Sequence, residues 1–155
     1  MPLPTPVDLL FICTGNICRS PFAEVWARRH LSMLGRGDLH VTSAGLHAVV
    51  GGRVPKAGIE VAKSLDVELG LHRGRQLTES MAYGARLVVA MEFFHVEDLE
   101  ERFEVDGARL LSGWAPGPIR PAGIPDPHRC PKWAFETSYA LIGACVDRLI
   151  TERWG

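Results

Sequence analysis

One turn limits what this chain can fold into: Cys13-Thr14-Gly15-Asn16-Ile17-Cys18-Arg19-Ser20-Pro21. The run before it, Val7-Asp8-Leu9-Leu10-Phe11-Ile12, reads as a buried strand. The run after it, Pro21-Phe22-Ala23-Glu24-Val25-Trp26-Ala27, reads as an opening helix. A strand that feeds a helix through a short loop is the first half of a parallel crossover. The rest of the chain continues the alternation. Further strands are expected at Leu39–Ser43, Ala85–Met91 and Ala108–Leu111, and helices at about 21–34, 55–65, 78–84, 93–103 and 132–153. Leu87-Val88-Val89-Ala90-Met91 is apolar without alternation, as in a strand covered on both faces. In the last helix Phe135, Tyr139, Ile142, Val146 and Leu149 form one apolar stripe. The expected fold is α/β: one domain over residues 1–155, a central four-stranded parallel sheet with helices on both faces, and the turn at its first strand-to-helix junction. Residues 1–6, three of them proline, read as a loose tail.

The turn carries chemistry. A helix N-terminus presents unpaired N–H groups and the positive end of a dipole, a ready site for a tetrahedral oxyanion. The same field favours a thiolate, so Cys13 is expected to be a nucleophile at neutral pH. Arg19 can grip two oxygens of a phosphoryl group with its planar fork. Thr14, Gly15, Asn16, Ile17, Cys18 and Ser20 complete a phosphate-binding loop. Gly15 permits a positive φ or close approach of the backbone to an anion, and Asn16 tolerates the left-handed conformation. Ser20 can donate to the Cys13 sulfur, favouring its charged form.

Charge and cysteine usage narrow the classes. The net charge of −1 offers no polyanion surface for nucleic acid. No apolar stretch approaches the roughly 20 residues of a membrane span, and the N-terminus lacks the charged and apolar regions of a secretory signal. Four cysteines, two of them in one anion loop, suit a reducing, cytoplasmic setting better than a disulfide scaffold. No metal-ligand spacing occurs, and Arg19 with the loop amides supplies the positive charge, so no metal or other cofactor is expected. The proline-rich stretch 116–131 reads as a stiff irregular loop, and within it Asp126, between two prolines, is the candidate general acid. A turn-forming Asp is the competing reading of that residue.

Cys-x-Gly-Asn-Ile-Cys-Arg-Ser-Pro near the N-terminus resembles the low-molecular-weight protein-tyrosine phosphatases. Thr42-Ser43-Ala44-Gly45, His72-Arg73-Gly74-Arg75-Gln76-Leu77 and Pro125-Asp126-Pro127 extend that resemblance along nearly the whole chain. It implies metal-independent hydrolysis of phosphotyrosine through a phosphocysteine on Cys13, with Arg19 binding the phosphoryl group, Asp126 as acid and then base, and inorganic phosphate released. It also implies that Asn16, Ser20, Ser43 and His72 form a supporting network under the loop. Arg73 and Arg75 read as solvated or structural. Cys18 stands either as a redox partner, closing a reversible disulfide with Cys13, or as a small buried loop residue. Cys130 is expected near the cleft rim and Cys145 in the core.

Two departures stand out. After the Asp-Pro the family usually carries an aromatic residue, and this chain has His128-Arg129; after Ser-Ala-Gly it has Leu46-His47-Ala48-Val49-Val50-Gly51. Leu46 and Val49, with His128, are expected as cleft walls. The second departure, with Met91-Glu92-Phe93-Phe94-His95, resembles the Gram-negative bacterial branch, which acts with tyrosine kinases that control capsule and exopolysaccharide export. That resemblance implies an autophosphorylated kinase as substrate, and size and charge suit a monomer. Two other functions remain open from the loop alone. A thioredoxin-coupled arsenate reductase on the same fold needs relay cysteines after the third strand, and residues 81–106 hold none. A non-catalytic phosphate-binding module has no use for a nucleophile facing an Asp-Pro loop.

Overall fold

The computed structural model describes residues 6–118 and 121–155; most of the expected N-terminal tail, 1–5, lies outside the described residues. Strand β1, Val7–Cys13, runs into helix α1, Arg19–Met33. Then come β2 (Val41–Gly45), α2 (Lys56–Ser64), α3 (Glu79–Gly84), β3 (Ala85–Ala90), α4 (Phe93–Phe103), β4 (Arg109–Leu110), a 3-10 turn at Leu111–Trp114 and α5 (Lys132–Trp154). The strands are all parallel in the order β2-β1-β3-β4, so β1 is central.

Side-chain alternation along β1 feeds two cores. Leu9, Phe11 and Cys13 point into the layer built with α1, α2 and α5, while Leu10 and Ile12 point into the layer built with Leu99 and Phe103 of α4. Both faces are therefore covered, which accounts for the unbroken apolar runs. Phe22 of α1 stacks on Tyr139 of α5 with ring centroids 4.2 Å apart, a contact worth about 0.5–1.5 kcal/mol beyond area burial.

Two boundaries differ from expectation. Helix α1 starts at Arg19, two residues before the expected position, because Pro21 sits in the first turn, where its missing N–H costs nothing. Strand β4 is only two residues long, since Leu111 already turns away into the 3-10 segment and is fully buried. The carboxyl ends of β1, β2 and β3 open onto one side, where ligands of such sheets bind.

Candidate active site

The loop from Cys13 to Arg19 is held from beneath by one side chain. Asn16 has φ 56°, the left-handed conformation, whereas Gly15 does not take a positive φ. Asn16 Nδ2 donates to Ser20 Oγ at 2.8 Å and to Ser43 Oγ at 2.9 Å, and its Oδ1 accepts from the Arg75 N–H at 3.0 Å. The Ser43 hydroxyl donates to Oε1 of buried Glu24 at 2.8 Å. Ser20, having accepted from Asn16, keeps its own proton for Cys13 Sγ, 2.9 Å away. His72 Nε2 donates to the Asn16 carbonyl at 2.9 Å; burial pushes the His72 pKa below its usual value, only partly opposed by that bond.

Segment 72–77 lies along the free edge of β2. The Gly45 N–H donates to Arg75 O and the Leu77 N–H to Gly45 O, both at 2.9 Å, while Gln76 clamps the next loop through Ala48 N and Leu46 O. That loop follows the anion loop backbone to backbone: Leu46 N to Cys13 O, His47 N to Thr14 O and Val49 N to Gly15 O, at 3.0–3.1 Å.

The opposite wall hangs on β3. The Ile124 N–H donates to Met91 O at 2.8 Å, and Arg19 Nη1 donates to Ile124 O at 2.9 Å. The Arg19 side chain is only 2% exposed; its Nη1 donates to Glu92 Oε2 at 2.7 Å and its Nη2 lies 3.6 Å from Asp126 Oδ2. Asp126 Oδ1 accepts from the His128 N–H at 3.0 Å. Glu92 and His95 cap α4 reciprocally, so His95 Nδ1 accepts from the Glu92 N–H and its Nε2 carries the proton that goes to Thr14 Oγ1 at 2.8 Å. Burial, with Arg19 next, lowers the His95 pKa to about 4 and keeps it neutral. On the other side of the loop, burial pushes the Cys18 thiol up to about 12, with Cys13 adding to the shift. Tyr139 of α5 donates to Cys18 O at 2.8 Å.

Together these residues form a cleft of ≈ 160 Å³ lined by Cys13, Thr14, Gly15, Ile17, Cys18 and Arg19 of the loop, His47 and Val49 on one side, and Asp126 and His128 on the other. The start of α1 has no side-chain cap and no acidic residue in its first turn, which leaves amides and dipole for an anion. The arrangement can bind a tetrahedral oxyanion with a sulfur nucleophile beneath it and a carboxyl group at its rim. Among the described residues no three His, Cys, Asp or Glu side chains gather as a metal ion requires. No helix among them is long and apolar enough to cross a membrane.

Residues 8–153 match the low molecular weight phosphotyrosine protein phosphatase family. The chain belongs to this family. It is 37% identical over 137 residues to the low molecular weight protein-tyrosine-phosphatase Etp of Escherichia coli strain K12, covering 87% of this chain and 86% of that one. Among solved structures, the tyrosine phosphatase Wzb of E. coli K30 in complex with sulphate is 31% identical with a TM-score of 0.81, covering 96% and 99% of the two chains. The tyrosine phosphatase amsI of Erwinia amylovora is 29% identical with a TM-score of 0.82, covering 96% and 93%. This chain is accordingly a protein-tyrosine phosphatase.

Cys13, the loop residues, Arg19, Asp126, Val49 and His128 thus lie around one cleft, with Asn16, Ser20, Ser43 and His72 bonded beneath it. Leu46 is not a cleft wall. It is 1% exposed and packs with Ala44 in the core on the α4 face, and His47 takes the place at the cleft. Arg75 donates to Thr42 Oγ1 at 2.6 Å, and Arg73 to the Gly70 and His72 carbonyls. Cys130 is exposed beside the Asp126 turn, its Sγ 3.5 Å from His128 O, and Cys145 is fully buried. Glu24, Gln76, Glu92, His95 and Tyr139 lie in runs the sequence reading named, but it gave none of them a part in holding the site. The one signal available was Glu92-x-x-His95 at a helix start, a capping-box spacing.

Proposed function

We propose that this phosphatase hydrolyses phosphotyrosine in two in-line steps through Cys13. In the first, Cys13 Sγ forms a bond to phosphorus while the phosphorus–tyrosyl oxygen bond breaks, and protonated Asp126 delivers its proton to the leaving phenolate. Arg19 and the amides from Thr14 to Arg19 hold the three equatorial oxygens. In the second, water attacks phosphorus, its proton passes to the Asp126 carboxylate, the sulfur–phosphorus bond breaks and phosphate leaves. Ser20 stabilises the departing thiolate through the bond it makes at 2.9 Å. The observation that carries this reading is Cys13 at the carboxyl end of β1, 2.9 Å from Ser20 in the uncapped first turn of α1, with Arg19 reaching to 3.6 Å from Asp126.

The substrate we assign is an autophosphorylated tyrosine kinase of an exopolysaccharide system, acted on in the cytoplasm by a monomer. Similarity to Etp and Wzb supports the kinase assignment, and a site complete within one chain supports the monomer. When peroxide converts Cys13 to a sulfenic acid, Cys18 attacks its sulfur, water leaves and a disulfide closes.

The test is hydrolysis of p-nitrophenyl phosphate without added metal. Cys13→Ser should abolish turnover. Asp126→Asn should lower kcat by about 10²–10⁴-fold, with inhibition by inorganic phosphate little changed. A wild-type chain that binds phosphate yet shows no turnover would overturn the reading.

A further inference from the structure

We infer that the cleft mouth reads negative charge beside the phosphotyrosine: His47 and His128 are specificity-determining groups, Arg129 adds to them, and the preferred substrate is an acidic phosphotyrosine segment. This deepens the phosphotyrosine reading above and rests on it.

Among the described residues no Phe, Tyr or Trp lines the cleft; Ile17 and Val49 are its larger apolar groups, and the remaining rings are two imidazoles. They stand on opposite walls of the cleft. His47 sits on the α4 side, where Arg102 Nη1 donates to its Nε2 at 3.2 Å and Asp98 Oδ2 lies 3.6 Å away. His128 sits on the α1 side, its Nδ1 3.9 Å from Cys18 Sγ. With Nε2 accepting from Arg102, His47 keeps its proton on Nδ1. An S–H donated by Cys18 to Nδ1 places the His128 proton on Nε2. Each ring in that arrangement offers one N–H donor to a ligand. A phosphotyrosine ring standing between the walls carries its neighbouring residues past these two donors.

The charge balance favours a carboxylate there. Asp126 and Glu92 are engaged by Arg19, and Asp98 by Arg102 at 3.0 Å. Among the described residues His128 and Arg129 have no carboxylate side-chain partner beyond the Asp126 bond to the His128 backbone. Arg129 is exposed and follows His128 in a left-handed turn, with no ion pair among the described residues. Donors at the cleft mouth, with the exposed Arg129 next in the chain to His128, are complementary to an acidic partner.

Three substrates test this: p-nitrophenyl phosphate and two phosphotyrosine peptides of equal length, flanked by Glu or by Ala. For the wild type, kcat/KM should favour the Glu-flanked peptide about ten-fold at low ionic strength and less at high salt. His47→Ala and His128→Ala should each cut that ratio several-fold, and Arg129→Glu should bring it to about one or below. Each ratio is internal to one variant, so a general loss of activity cancels. Arg129→Glu, at an exposed position, keeps the test open where a histidine variant folds poorly. A wild-type ratio near one, or a ratio retained in all three variants, overturns the inference. Failure of the wild type on p-nitrophenyl phosphate would instead strike the phosphatase mechanism itself.

Discussion

His95 joins a helix cap to the anion loop through one imidazole. Fully buried, it accepts from the Glu92 N–H and donates to Thr14, so it can hold both only as the neutral ring. An unfolded histidine titrates near 6.5, and this one near 4. Between those values the unfolded chain binds a proton that the folded chain refuses. Stability is therefore fully present above about pH 6.5 and is lost as pH falls toward 4. The ceiling is on the order of 3 kcal/mol, or roughly 6–12 °C in Tm for a chain of this size. His95→Gln retains a capping-box side chain at the third helical position and removes the titration. The variant should show a distinctly flatter Tm between pH 7 and pH 5, the remaining slope coming from His72, whose pKa is shifted in the same direction. Parallel pH profiles for wild type and variant would dismiss the coupling.

At the scale of the element, the anion loop is a backbone shape fixed by Asn16 and by contact with the strand end beside it. Asn16→Ala removes bonds to Ser20, Ser43 and Arg75 while keeping a left-handed φ that alanine disfavours. A Cβ at Gly45 would stand 2.5 Å from Thr14 O, backbone against backbone. Each of Asn16→Ala and Gly45→Ala should cost about 2–4 kcal/mol in urea unfolding and lower kcat, because the loop is displaced. Retained kcat in both variants would mean that the loop keeps its shape without these supports. Much of this element was legible from residue types: Asn at a left-handed position, Ser before Pro, Arg at the helix start. Its supports were less so, because Glu24 bonds across 19 positions, Thr14 to His95 across 81 and Tyr139 to Cys18 across 121, separations over which no local pattern runs. Leu46 was misplaced for a local reason. The period of two continues past β2, so Ala44 and Leu46 share the inner face, and His47 emerges at the cleft.

Across the whole molecule, the doubly covered sheet was legible because Leu87–Met91, at β3, is apolar without alternation, whereas the shortness of β4 depends on where Leu111 finds burial. The sheet alone does not close the site. Helix α5, the last element, reaches the first loop through Tyr139, whose hydroxyl donates to Cys18 O and whose ring stacks on Phe22. Burial holds that phenol well above its ordinary pKa, so it remains a donor. Tyr139→Phe keeps the ring and removes a buried hydrogen bond to the carbonyl one residue before Arg19, at a cost of about 0.5–1.5 kcal/mol. The carbonyl lies in the loop that must receive phosphate, so the loss should appear in binding as well as in stability. Phosphate at about 100 times its Kd stabilises a folded chain by roughly 2.7 kcal/mol, and phosphate at that same concentration should stabilise the variant less. Thermal unfolding with and without phosphate separates the two effects. A lower Tm together with an undiminished phosphate shift would mean that α5 supports the fold without shaping the loop.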